Sequence, residues 1–256
     1  MQILIVNLEK DKERRQFVQQ QLSQLNTPFN FITGVLGSSL STKKLATNYN
    51  NRKALRHQCR PLGPSEIGCA LSHINIYRKI ANENISLACI LEDDVIIPEN
   101  FELILSQIEQ FIDQSLPQVI LLSPAKTKQK VLAKLNNKFT IGRYKSGYYT
   151  SSYILNNLAA KALLKVLYPV NDVADCWKRL HKHKIIDIYA INPPLIIQDQ
   201  DSFGSSTTSD VEHLNTRPFF TVLKFKFCRL VTLSFDLVFS RYNRLFRPYA
   251  NILKNR

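Results

Sequence analysis

The chain has 256 residues, 45% of them apolar and 21% charged, an ordinary balance for a folded protein that excludes collagen-like, low-complexity and wholly disordered classes. Lys and Arg number 34 against 20 Asp and Glu, for a net charge of +14, which favours polyanionic partners such as nucleic acid, anionic membrane or a phosphorylated substrate. The excess is concentrated. Residues 217–256 hold nine basic residues and one acid (+8), while the preceding 216 carry 25 basic residues and 19 acids (+6).

In chain order, Ile3 to Leu8 is a continuous apolar run of the kind buried on both faces of a parallel sheet, with Asn7 near its carboxyl end. Lys10 to Leu25 spaces Phe17, Val18, Leu22 and Leu25 along one helical face, and Phe29 to Val35 reads as a second strand, completing a β-α-β opening. Residues 38–61 are polar and basic and read as a surface excursion. Gly63-Pro64-Ser65-Glu66 starts a helix that runs to about Asn82 and sets Glu66, Cys69, His73 and Tyr77 near one face. Leu87 to Leu91 is the next buried strand and leads into Glu92, Asp93 and Asp94. Phe101 to Phe111 is helical, Val119 to Leu122 a strand, and Val131 to Tyr149 a hairpin with Gly142 and Gly147 as its turn residues. Leu158 to Leu167 is a helix and Ile185 to Ile191 a last strand. This alternation predicts an α/β sheet covered on both sides, whose ligands bind beyond the carboxyl ends of its strands.

Cys59, Cys69, Cys89, Cys176 and Cys228 are odd in number and form no CxxC pair, which suits a reducing compartment. Met1 leads directly into Ile3 to Val6, too short for a signal segment, and no stretch reaches the roughly 18–20 apolar residues of a bilayer span. The expected location is cytoplasmic.

Three acids directly after an apolar strand are the most informative feature. An extended backbone would send Glu92 and Asp94 to one side and Asp93 to the other. Carboxylate oxygens suit Mg²⁺ or Mn²⁺, which take one or two carboxylates and complete their shell with diphosphate oxygens and water. A solvated acidic turn is the competing reading.

Leu62-Gly63-Pro64-Ser65-Glu66-Ile67-Gly68-Cys69-Ala70-Leu71-Ser72-His73, followed after fourteen residues by Ala88-Cys89-Ile90-Leu91-Glu92-Asp93-Asp94, resembles glycosyltransferase family 25, the lipooligosaccharide and lipopolysaccharide core transferases. Weaker matches are Ile5-Val6-Asn7-Leu8 with Arg14-Arg15, the segment from Tyr153 to Leu164, and Asp175 with Trp177 before Pro193-Pro194. The resemblance covers roughly residues 2–210 and implies a single GT-A-like, Rossmann-type domain that binds a nucleotide sugar. It further implies UDP-galactose or UDP-glucose as donor, a divalent metal (Mn²⁺ or Mg²⁺), and inverting transfer to the inner core of the acceptor glycan. Carried onto this sequence, Glu92, Asp93 and Asp94 become the metal and donor motif, with Asp94 and Glu92 as metal ligands. Glu66 and His73 face the donor pocket, Glu66 as a catalytic residue beside the base and His73 as a donor-binding one, and Asn7 and Arg14 lie near the nucleotide.

Each assignment has a plainer alternative. His73 would be a hydrogen-bonded core histidine, Glu66 a helix N-terminal acid, Arg14 a surface partner of Glu9 or Asp11, and Cys69 packing. Inversion needs a base for the acceptor hydroxyl. Asp172 and Asp175 are available, and the family pattern of an acid shortly before an aromatic favours Asp175, beside Trp177; capping is the alternative for both. Ser205-Ser206-Thr207 departs from the family, which often has Ser-Ser followed by an aliphatic residue.

Residues 1–216 are thus read as the catalytic domain and 217–256 as a basic, aromatic-rich helical tail lying on an anionic membrane. A helix completing the core is the alternative for the tail, and nucleic-acid binding is set aside because no binding module is recognisable. Two other functions fit the same acids and charge: a metal-dependent nucleotidyl or phosphoryl transferase, and a basic membrane-binding scaffold on a degenerate transferase fold.

Overall fold

The computed structural model describes residues 1–203. The expected tail and Ser205-Ser206-Thr207 lie outside the described residues.

Strand β1 (Gln2–Asn7), helix α1 (Lys12–Leu22) and strand β2 (Phe29–Thr33) form the predicted β-α-β unit, with β1 and β2 parallel and Ile3 opposite Phe29. Residues 38–61, expected to be an excursion, are largely helical. Helix α2 (Thr42–Asn48) is capped by the Ser41 hydroxyl and α3 (Asn51–Gln58) by the Asn50 side chain, each accepting a first-turn N–H. The segment is also fastened to the body. Asn50 N–H donates to Val170 O at 2.7 Å, Val170 N–H to Asn48 O at 2.8 Å, and Ala54 of α3 is fully buried. Its polar composition describes only the outer face.

Helix α4 spans Pro64–Asn82, as predicted. It crosses the chain after β2 so closely that a Cβ on Gly68 would stand 2.5 Å from Val35 O, and one on Gly37 would stand 1.7 Å from Pro64 O. The Val35 N–H donates to Ser72 Oγ at 2.8 Å and fixes the crossing. Only glycine at both positions permits the approach that brings the first two turns of α4 over the sheet edge.

Strand β3 (Leu87–Glu92), the short β4 (Val95–Ile96), helix α5 (Phe101–Phe111), β5 (Gln118–Leu121), the hairpin of β6 (Ala125–Lys134) and β7 (Thr140–Gly147), β8 (Ser152–Asn156), helices α6 (Asn157–Leu167) and α7 (Trp177–Lys182), β9 (Asp187–Asn192), β10 (Ile197–Gln198) and the single turn α8 (Gln200–Phe203) complete the described chain. Eight strands form one mixed sheet in the order β2-β1-β3-β8-β5-β9-β7-β6, and β10 pairs with β4 in a separate two-stranded ribbon. Strand β8 is antiparallel to both β3 and β5.

The period-2 alternation of the central strands splits the core in two. Leu4, Ala88, Ile90, Val119, Leu121, Tyr153 and Leu155 face α4 and α6, while Ile3, Ile5, Cys89, Leu91, Ile120 and Ile154 face α1 and α5. Both sheet faces are therefore dry, which is why the strands read as unbroken apolar runs. Truncating such a residue, Ile90 for example, to Ala costs about 2–5 kcal/mol. This is the α/β domain that the sequence predicts. Among the described residues no helix is long and apolar enough to cross a membrane.

Candidate functional site

Strands β1 and β3 are parallel neighbours and end together, Val6 standing opposite Glu92. Asn7 is the last residue of β1 and Glu92 the last of β3; Asp93 and Asp94 form the turn into β4. That turn corrects the extended reading. The backbone bends after Glu92, so Asp93 and Asp94 do not alternate, and both face the same cation.

The cation is Arg14, one turn into α1. Its Nη1 lies 3.4 Å from Asp93 Oδ1 and 3.2 Å from Asp94 Oδ2, and its Nη2 donates to the Phe203 carbonyl at 3.0 Å. Asn7 Nδ2 donates to Asp93 Oδ2 at 2.7 Å and to Asp11 O at 3.0 Å. Asn7 and Arg14 thus stand against the acid turn. Sequence reasoning missed Gln198. The β4–β10 ribbon sets Gln198 beside Val95, and its Nε2 reaches Asp94 Oδ1 at 3.2 Å and Glu92 Oε2 at 3.5 Å. A two-residue strand after Pro193-Pro194 carries no periodicity by which this role could be recognised.

His73 and Tyr77 point from α4 at Tyr153 of β8. His73 Nδ1 lies 2.7 Å from the Tyr153 hydroxyl, which donates to the Tyr77 hydroxyl at 3.0 Å. His73 Nε2 stands 3.5 Å from Glu92 Oε1, and that oxygen also accepts from the Thr150 hydroxyl at 2.9 Å. Thr150 is presented by a loop that the buried Trp177 holds, its indole N–H donating to Tyr149 O at 2.9 Å.

Glu66 is held at the start of α4. Its Oε2 accepts from the Gly63 N–H at 2.8 Å, and both oxygens meet the Arg60 fork at 2.7 and 2.6 Å. This is the helix-start role weighed against catalysis, with a paired guanidinium added. The two aspartates also separate. Asp172 is buried and engaged by the Arg179 guanidinium, the Gln58 amide and the Val173 N–H. The partly buried Asp175 has no side-chain hydrogen-bond partner among the described residues.

The charges of the site are unevenly matched. Burial pushes the Asp175 carboxyl up to about 6, and Asp172, Glu92 and Glu66 add to that by repulsion. Burial and the Glu92 charge push Asp94 up to about 6 as well, against the Gln198 and Arg14 contacts. Burial raises Asp93. Burial alone would raise Glu92, but His73, the Thr150 hydroxyl and Arg14 together hold it below the usual carboxylate range. Glu92 is therefore ionised at neutral pH, and Asp94 and Asp175 titrate near it. Paired carboxylates at a strand end, incompletely compensated by one Arg, fit a hard divalent ion by donor chemistry, and Asp94 and Glu92 are the oxygens that would hold it.

This constellation stands on the segments that distinguish one family. The family model described as "Glycosyltransferase family 25 (LPS biosynthesis protein)" matches residues 1–177, which contain every site residue above except Gln198, Arg179 and Phe203. The lipooligosaccharide biosynthesis protein lex-1 of Haemophilus influenzae is 25% identical over 243 residues, covering 82% of this chain and 80% of that protein. Human procollagen galactosyltransferase 2 is 23% identical over 232 residues, covering 82% of this chain; the match spans only 37% of that longer protein. Among solved structures, a glycosyltransferase involved in glycosylating the major capsid of PBCV-1 aligns with a TM-score of 0.39 at 13% identity, over 84% of this chain and 98% of that one. A family match over more than half the sequence, with its motif residues gathered at the ends of β1 and β3, makes the chain a member of glycosyltransferase family 25.

Proposed function

We propose that the protein is an inverting transferase that moves galactose or glucose from a UDP-sugar to the inner core of lipooligosaccharide or lipopolysaccharide. The observation that carries this reading is the acid turn Glu92-Asp93-Asp94 at the carboxyl end of β3, with Asn7 and Arg14 on one flank and Gln198 across it. The lipooligosaccharide role of lex-1 and the galactosyl transfer in the name of the procollagen enzyme support the acceptor and donor classes.

In this reading the acceptor hydroxyl oxygen attacks the anomeric carbon of the donor as the bond from that carbon to the UDP oxygen breaks. The acceptor proton passes to the Asp175 carboxylate, which has no competing side-chain partner among the described residues and is tuned upward as a base for near-neutral pH. Asp94 and Glu92 are the ligands for Mn²⁺ or Mg²⁺, which when bound neutralises the diphosphate charge. Arg14 bridges Asp93 and Asp94 and keeps the turn closed, and Asn7 orients Asp93. His73 sets the position of Glu92 from the protein side. Glu66 acts by anchoring the start of α4 rather than by touching the sugar.

The protein works at the cytoplasmic face of the membrane in this proposal, with residues 217–256 as its basic anchor and 1–216 as the catalytic unit. The deciding experiment offers a panel of UDP- and GDP-sugars with truncated core acceptors, with and without Mn²⁺, and reads the product by mass spectrometry. Metal-dependent addition of one hexose, β-configured by NMR, is the expected result. Consumption of a nucleoside triphosphate, offered in a parallel reaction, with none of the sugars used would replace this reading with nucleotidyl transfer.

A further inference from the structure

We propose that Cys69, His73 and Glu92 form a binding site for a borderline-soft divalent transition ion of the zinc class, chemically distinct from the oxygen-only set at Asp94. The thiol sulfur, one ring nitrogen and one carboxylate oxygen of these residues all lie within 4.8 Å of one another. Cys69 and His73 are four apart on α4 and so share a face, and the end of β3 brings Glu92 to them.

The second observation is the state of His73. It is 2% exposed, and its Nε2, buried and directed at this cluster, has no hydrogen bond. The Tyr153 hydroxyl engages His73 Nδ1, so Nε2 is the ring nitrogen that points into the cluster. Nε2 faces Glu92 Oε1 at 3.5 Å. That separation is long for a hydrogen bond, and an ion bound to both atoms would bridge it. Metal-bound histidines characteristically place their other ring N–H on an oxygen partner, and Tyr153 is that partner here. Thr150 donates to Glu92 Oε1 and also lies against the Cys69 thiol, tying the two ligands together from the outer side.

Sulfur, nitrogen and a single oxygen suit zinc, whose usual distances are about 2.3 Å to sulfur and about 2.0–2.2 Å to nitrogen and oxygen. Mg²⁺ prefers oxygen alone. On binding, the Cys69 thiol releases its proton to solvent and the thiolate bonds the ion. Three protein ligands leave a fourth position for water. Occupancy takes Oε1 of Glu92, the residue whose other oxygen Gln198 links to Asp94. Zinc should therefore inhibit transfer; this consequence rests on the proposed function, whereas binding does not.

The test titrates the full-length protein with Co²⁺, whose bond to a thiolate produces a near-ultraviolet charge-transfer band, and then displaces it with Zn²⁺ against a chromophoric chelator. One equivalent of thiolate-bound Co²⁺ is expected in the wild type, with Cys69→Ser removing the band and weakening zinc binding at least about tenfold. Absence of the band in the wild type, or equal zinc affinity in Cys69→Ser, overturns the site. Should Cys69→Ser fail to fold, differential alkylation of the wild type decides: one equivalent of zinc shields Cys69 and leaves Cys59 reactive, and no selective shielding overturns the proposal. Zinc binding without loss of hexose transfer keeps the metal site and removes Glu92 from the donor site.

Discussion

Replacing Asp175 by Asn sets stability against activity in one side chain. Its carboxyl is pushed up from 3.8 to about 6, first by burial and then by the charges of Asp172, Glu92 and Glu66. At about 1.36 kcal/mol per pKa unit, that displacement caps the cost of keeping the ionised form folded at about 3 kcal/mol. The side chain is only partly buried. Screening by water brings the working figure to about 1–2 kcal/mol. A carboxyl raised in the folded state favours its protonated form there, so its contribution is fully present below 3.8 and is lost as pH rises through about 6. Asp175→Asn carries no charge at any pH. It should melt higher than the wild type at pH 8, by roughly 2–4 °C per kcal/mol for a chain of this length, and match it at pH 4. Turnover should fall by about 10²–10⁴, because an amide cannot take the acceptor proton, while the donor KM changes little. The share of the acid limb near pH 6 that belongs to Asp175 should disappear from the residual activity, leaving that of Asp94, which titrates in the same range. Differential scanning fluorimetry at the two pH values and UDP release with acceptor present measure both halves. A variant that is less stable at pH 8, or that turns over within tenfold of wild type, refutes the reasoning.

Asp94→Ala should nearly abolish transfer without lowering the melting temperature, since burial and the Glu92 charge already disfavour the carboxylate it removes; full activity at saturating Mn²⁺ and donor would end the metal-ligand assignment. Arg60→Ala leaves Glu66 at the α4 terminus without its partner and should cost about 2 kcal/mol in urea unfolding, whereas Glu66→Gln should keep the Gly63 contact and turnover within several-fold. A collapse of turnover in Glu66→Gln at unchanged stability would move Glu66 into the chemistry. Deleting residues 218–256 should release the protein from anionic liposomes and slow transfer to a lipid-anchored acceptor while sparing a soluble oligosaccharide, and wild-type binding should weaken as salt rises. Continued sedimentation of the truncated chain with vesicles would contradict the anchoring role, and insolubility would favour packing of the tail into the core.

What the sequence made legible was whatever depended on local pattern. The apolar runs at Ile3 and Leu87 became β1 and β3 because strands dry on both faces need no polar alternation, and Pro64 with Glu66 marked the start of α4. The hairpin turn lies away from the glycines that suggest it, because glycine has two uses. Gly142 lies inside β7, where a Cβ would stand 2.8 Å from Thr127 Cβ, so it serves strand approach; the turn itself is closed by Asn136 Oδ1, which accepts from the N–H groups of Lys138 and Phe139. Within the site, Asn7, His73 and the three acids belong to contiguous motifs and could be read. Gln198 could not, because its place depends on a ribbon formed across about one hundred residues. The division between Asp172 and Asp175 was open for the same reason, as it turns on Arg179 and Gln58 reaching only the first.

Strand β8 separates β3 from β5 in the sheet, and this order matters while the chain is being made. Fifty-nine residues lie between the end of β3 at Glu92 and the start of β8 at Ser152, so at about 5–20 residues per second β3 waits several seconds for its second neighbour. Through that interval Leu87 to Leu91 offers an unpaired apolar edge, the form of polypeptide that chaperones hold and that aggregates when they do not. A chain ending at residue 150 should accordingly precipitate or stay with a holdase to a greater extent than one ending at residue 203; equal solubility of the two would show that β3 is protected by some other part of the nascent chain.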